Sequence, residues 1–218
     1  MSGAGSKIGG LLWWASLACL VGGGVLWALS PVGVELSELK FKTPDVFWKL
    51  FPTAPLLLAV GVLGLLLMRR EGRSLAAKIG LWAALAGLVL VAAGDAGLYH
   101  LGVDDVYIMT APAYRAFRVG LVVLAAGALL FAVAETRGWG LPAWAGLPFA
   151  LAALAGFVAV FQDMGAFGAA LWALFGAGWA WLGFALAVVS LQGKERSARG
   201  AGGERAQGRQ TGAGRPAG

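Results

Sequence analysis

One cysteine and one histidine in the whole chain remove several kinds of chemistry before any pattern is considered. A single thiol, Cys19, cannot form an intramolecular disulfide, a CxxC redox pair or a cysteine-rich metal site. It lies inside the first apolar run, where a thiol is an inert small packing residue. The lone His100 cannot bind a haem on both faces, which excludes cytochrome-b-like electron transfer. There is no HExxH metalloprotease motif. Ser16 and Ser190 fall in apolar stretches with no histidine near them in the chain, which argues against a serine hydrolase. No lysine occupies the middle of an apolar run, so a retinal-type Schiff base is excluded as well.

Charge is scarce too. Charged residues make up 13% of the 218 residues and hydrophobic ones 59%, where a soluble domain carries about 25% charged residues. That contrast decides for an integral membrane protein. Alternation of apolar and polar residues in blocks of about ten, the mark of a membrane barrel, is missing. The net charge of +6 does not indicate nucleic acid. The basic residues lie between apolar runs and in the tail, where they orient a protein in a bilayer.

What is present is a series of six apolar runs, at about 8–30, 53–68, 79–98, 116–134, 142–161 and 166–191, from which helices are expected at about 8–30, 44–69, 79–100, 110–136, 142–161 and 166–191. Each approaches the ~20 residues that a spanning helix needs. Thr43 and Pro44 are placed to cap the second and form its first turn. The first run exceeds the 7–15 residues of a signal peptide. Its candidate cleavage site, Ala28-Leu29-Ser30, would be followed by Pro31, so it reads as a retained helix. The expected fold is an all-α membrane protein: a bundle of six transmembrane helices in three hairpins over residues 1–191. Residues 192–218 carry no large apolar side chain, so they are expected to form a disordered basic tail that touches anionic headgroups. Lys7, the RREGRSLAAK loop at 69–78, Arg137 and the tail outweigh the basic residues of the other side. The positive-inside rule then puts both termini in the cytoplasm, with the chain in the plasma membrane.

The polar residues gather on the opposite, outer side. The stretch AGDAGLYHLGVDD at 93–105 leaves the third run, and the three tyrosines of the chain, Tyr99, Tyr107 and Tyr114, all lie in or beside the loop that follows. Asp95 falls about one turn inside the third helix and Arg118 one to two turns inside the fourth. A hairpin brings them to similar depth, and an ion pair would offset the cost of burying either charge. Tyr99 and Tyr114 stand four residues from these charges and share their helix faces. Arg115 lies at the same helix entrance. His100, Asp104 and Asp105 supply metal-type donors, but one histidine with two loop aspartates falls short of a defined site. Their expected place is the wet interface, and no metal or cofactor is expected.

Two further patterns concern packing. The third and fourth runs carry the near-identical strings GLVLVAAG (87–94) and GLVVLAAG (120–127). Gly176 and Ala180 in the sixth have the small-xxx-small spacing that admits a neighbouring helix. An intramolecular neighbour is favoured there, with a homo-oligomer as the alternative. Trp13, Trp14, Trp82, Trp139 and Trp144 are expected at the cytoplasmic boundary and Trp27 and Trp48 at the outer one, as headgroup anchors. Trp172, Trp179 and Trp181 lie deeper, to fill gaps left by glycine or to line a cavity.

The strings RGWGLPAWAGLPFALAALAGF and ALWALFGAGWAWLGFAL give the chain, over roughly residues 116–190, a resemblance to uncharacterised small six-helix integral membrane proteins of bacteria. A short Gly/Leu/Pro turn there feeds one helix, and a Trp-Leu-Gly-rich helix closes the chain. The resemblance implies the fold and the membrane, and neither an activity nor site residues.

The functional expectation is a non-enzymatic structural or small-ligand-binding role, with a polar outer rim around the third and fourth helices. Two rivals remain. A small secondary transporter or channel-like protein needs a polar midplane cavity and broken helices, for which Pro52, Pro55 and Pro148 are the candidates. A membrane enzyme would use Asp95, His100 or Asp104 on an outward substrate. A sealed interior separates the first reading from the second.

Overall fold

The computed structural model describes residues 3–40, 51–68, 74–99, 112–137, 142–162 and 165–212. Among them there are six helices and no strand: α1 (Gly3–Lys40), α2 (Thr53–Met68), α3 (Leu75–Tyr99), α4 (Pro112–Arg137), α5 (Ala143–Ala159) and α6 (Ala166–Gly212). Four of them contain stretches long and apolar enough to cross a membrane: Gly9–Gly33, Leu75–Leu98, Pro112–Thr136 and Ala166–Gln192. The other two, α2 with 16 residues and α5 with 17, are apolar but shorter. At 1.5 Å per residue they extend roughly 24–26 Å, a little less than a hydrocarbon core of about 30 Å.

The local reasons for these helices are plain. Ser74 accepts the Ala77 amide on its hydroxyl at 3.2 Å and starts α3, as an N-cap serine does. Pro142 stands extended before α5 and contributes its carbonyl to the Ala145 and Gly146 amides. Thr136 and Ser190, near the ends of apolar stretches, turn their hydroxyls back onto the carbonyls of Ala132 and Leu186. Neither hydroxyl is then left bare against lipid.

Each helix packs against its two neighbours in the chain, and α1 packs against α6, so the six form a closed ring. Glycine sets how close the members come. A Cβ added to Gly24 of α1 would lie 2.7 Å from the Gly176 carbonyl oxygen of α6, and one added to Gly176 would lie 2.7 Å from the Gly24 oxygen. Gly176 and Ala180 are therefore occupied by α1, within the chain. At the far end of the same seam Trp13 donates its indole N–H to Ser190 at 3.1 Å. The pair α3–α4 is as tight, and α2 and α5 fill the two spaces between the tight pairs.

Aromatic side chains fill the interior. Trp27, Phe131, Phe149, Phe175 and Trp179 are all fully buried. Ring contacts, edge-on except for the tilted Trp27–Trp172 pair, link them in a continuous series. Phe117 meets Phe51, Phe51 meets Trp27, and Trp27 meets Trp172 and Phe175. Phe175 then leads through Trp179 and Phe149 to Phe131. Such contacts add about 0.5–1.5 kcal/mol each beyond the area they bury.

Several expectations need correction. Trp27 is 1% exposed and belongs to this core; it is not a boundary anchor. Its depth suited a belt, but its helix face points inward. Trp82 and Trp144 are exposed, as anchors should be, while Trp48 and Trp139 lie outside the described residues. The first helix does not stop at Ser30 but continues through Pro31 to Lys40. Proline keeps a helical φ and forfeits one hydrogen bond, and the Ser30 hydroxyl satisfies the neighbouring Leu26 carbonyl. The second helix begins at Thr53 rather than 44; Thr43 and Pro44 lie outside the described residues. Pro55 sits in the first turn of α2 and Pro148 inside α5, and both helices are continuous. The tail is helical to Gly212 where disorder was expected. Its Ala, Arg, Glu and Gln are good helix formers, and a helix already nucleated in α6 extends without a second nucleation cost.

Candidate functional site

The environment of Asp95 follows from a seven-residue rhythm in α3. The helix reads Gly80-Leu81, Gly87-Leu88, Gly94-Asp95. The three glycines form a stripe that meets the backbone of α4. A Cβ on Gly80, Gly87 or Gly94 would lie 2.7–2.8 Å from the carbonyl oxygen of Gly127, Gly120 or Ala113 respectively. A strict seven-residue repeat is the period at which two helices stay in contact along a left-handed crossing. The residue after each glycine is turned into the ring, and Leu81, Leu88 and Asp95 are each 0% exposed. Asp95 is thus a carboxylate in the third of three equivalent core positions.

Neither carboxylate oxygen of Asp95 has a hydrogen-bond partner. An unsatisfied buried polar group costs about 1–3 kcal/mol, and a charged one more. The ion pair expected with Arg118 is not formed. Arg118 is exposed, and its Nη2 donates instead to the Val160 carbonyl at 3.4 Å. The physical reason is azimuth. Gly94 touches Phe117, so the two charges do share a depth. Asp95, however, follows the glycine stripe into the interior, whereas Arg118 lies beyond Phe117 on the outer surface.

The remaining candidates divide as follows. Tyr114 is half-buried and Arg115 exposed, both in the first turn of α4. Tyr99 is the last residue of α3. His100, Asp104, Asp105 and Tyr107 lie outside the described residues. Among the described residues no three His, Cys, Asp or Glu side chains group to hold a metal ion. Cys19 is a free, half-buried thiol on α1.

One buried group was not anticipated from the sequence. Glu135 is 7% exposed, buried near the opposite end of α4, and it has a partner. The spacing from Gly80 to Asp95 recurs from Gly120 to Glu135, with Leu at the second position and Gly at the eighth of both segments. The repeat that matters therefore pairs Gly80 with Gly120 and Asp95 with Glu135, not the matching strings first noticed. Between the two acids the inward positions are apolar: Leu81, Leu88, Leu121 and Ala128 are all buried. Trp179 of α6 lies deep, as its place in the sixth run implied, and is fully buried. Its ring packs against Phe149 at 5.0 Å, and its buried indole N–H has no acceptor.

Comparison of the chain with protein-family models, with curated proteins and with solved structures gives no match. The reading of the site rests on its own geometry. The class defined so far is a helical protein with four helices able to cross a membrane.

Proposed function

We propose that the chain is a six-span plasma-membrane protein with a non-enzymatic, ligand-binding role, its site centred on Asp95 at the outer end of the α3–α4 pair. The observation that carries this reading is a carboxylate with 0% exposure and no hydrogen-bond partner. Such a group needs a counter-charge: a proton, an alkali cation or a protonated amine. With a single buried carboxylate at this end among the described residues, the fitting ligand carries one positive charge. The aromatic series through the ring and the continuous α2 and α5 favour binding over transport, for which a polar midplane cavity and broken helices are the usual apparatus.

The test is thermal unfolding of detergent-purified protein in choline chloride, then in NaCl, KCl and methylamine hydrochloride. A bound cation at a hundred times its Kd stabilises by about 2.7 kcal/mol. At least one of the three should raise the midpoint of the wild type and leave Asp95→Asn unmoved. If none does, the counter-charge is a proton and the ligand reading is lost.

The topology has separate support. A Cβ on Gly23 of α1 would meet Leu58 of α2, and one on Gly156 of α5 would meet the Phe175 ring of α6. Both short helices thus lie beside the middle of long ones, which supports counting them as spans. A protease-cleavable tag after Gly218 should be protected in intact cells and cleaved in inverted vesicles. Cleavage in intact cells would reverse the orientation.

A further inference from the structure

The surface where α4 meets the end of α5 carries two guanidinium groups with unused donors. Arg115 and Arg118 are both exposed and stand one turn apart on the outward face of α4. Arg118 spends one N–H on the Val160 carbonyl. The last amides of α5 close on themselves: Val160 N–H bonds to Gly156, Phe161 N–H to Val158, and Gln162 N–H to Ala159. The guanidinium therefore takes up a carbonyl left over where the shorter helix stops, an arrangement that also suits the negative end of its dipole. A guanidinium has five N–H donors in a planar fork, so most of Arg118 stays free. Asp95, the acid at this depth, faces the interior and pairs with neither arginine. Below the two arginines the same surface is apolar. Val119 and Val122, on the same face of α4, are 53% and 40% exposed and Val158 of α5 is 38% exposed, while Phe161, 69% exposed, follows Val160 and stands level with Arg118.

We propose that this corner is a binding site for one anionic phospholipid. The phosphodiester sits on the Arg115–Arg118 fork with Phe161 beside it, and an acyl chain runs down the exposed valines of α4 and α5. Arginine suits a phosphate better than a point charge does, because its planar fork can donate two parallel hydrogen bonds. The apolar wall argues for a lipid over a free anion: the cationic head and the apolar surface are continuous, and a lipid matches both. The site is independent of the Asp95 reading, since it uses another face of the helix pair.

Native mass spectrometry of the detergent-purified full chain, titrated with phosphatidylglycerol, tests this. Wild type should retain one phosphatidylglycerol under conditions that strip phosphatidylcholine. Arg115→Gln leaves the Val160 contact intact and should bind about tenfold more weakly, the equivalent of one lost charged contact. Arg118→Lys keeps the charge but loses the fork and should weaken binding as well. Circular dichroism of both variants guards against misfolding. Equal retention of the two lipids, or retention unchanged in both variants, would overturn the proposal. Displacement of the lipid by millimolar inorganic phosphate would turn the site into one for a free anion, and overturn it too.

Discussion

Asp95→Leu is expected to make the purified protein more stable than the wild type. Leucine has the branching of aspartate at nearly the same atoms, and it would continue the inward series of Leu81 and Leu88, both 0% exposed. It removes two oxygens that have no partner and adds apolar packing. Removal of one unsatisfied polar group gives about 1–3 kcal/mol. For a chain of this size that is a rise in melting midpoint of roughly 2–12 °C in choline buffer. Asp95→Asn keeps two polar atoms at the same place and should show no such rise. The stabilised leucine variant should also lose every cation response. That combination, a gain in stability with a loss of binding, is the signature of a residue kept for a task other than folding. A lower midpoint for Asp95→Leu would mean that the carboxylate holds the structure together.

Gly87→Ala is expected to have the largest destabilising effect. The added methyl would meet backbone on both sides, 2.7 Å from Leu124 Cα and 2.8 Å from the Gly120 oxygen. Backbone cannot swing aside as a flexible side chain can, so α3 and α4 must part along their length. Overpacking of this kind costs about 1–3 kcal/mol or more, and the near-contacts of Gly80 and Gly94 on the same stripe are loosened with it. Gly22→Ala on α1 is the control, because a Cβ there has nothing within 4 Å. It should be neutral or gain up to about 1 kcal/mol from helix propensity. Unfolding in a denaturing detergent titration would separate the two, and equal midpoints for both variants would remove the basis for glycine-set packing.

Much of this architecture is legible in composition. The apolar runs locate all six helices, since long hydrophobic stretches with few charges leave the chain little else to form. Depth is legible as well: Asp95 and Arg118 are where a hairpin puts them. Direction around the helix is not, because runs hydrophobic on every side carry almost no amphipathic signal. Trp27 and Arg118 show the consequence, each at the expected depth and on the other face. The spacing of glycine does carry the missing angle. Gly80, Gly87 and Gly94 mark the face that touches α4, and the next residue in each case is the one turned inward. Read that way, the sequence places Asp95 in the core without coordinates, and the matching Gly120 stripe places Glu135. The run past Pro31 and the helical tail were hidden for another reason, namely that a helix end is set by weak local terms that an established helix overrides.

The contact of α1 with α6 also has a meaning in time. Residues 177 positions apart, Trp13 and Ser190, join at the end of that seam, so the first helix made waits for the last. Until α6 is made, Gly24 and the side of Trp27 that meets Trp172 and Phe175 have no wall against them, and a half-made chain exposes what the finished one hides.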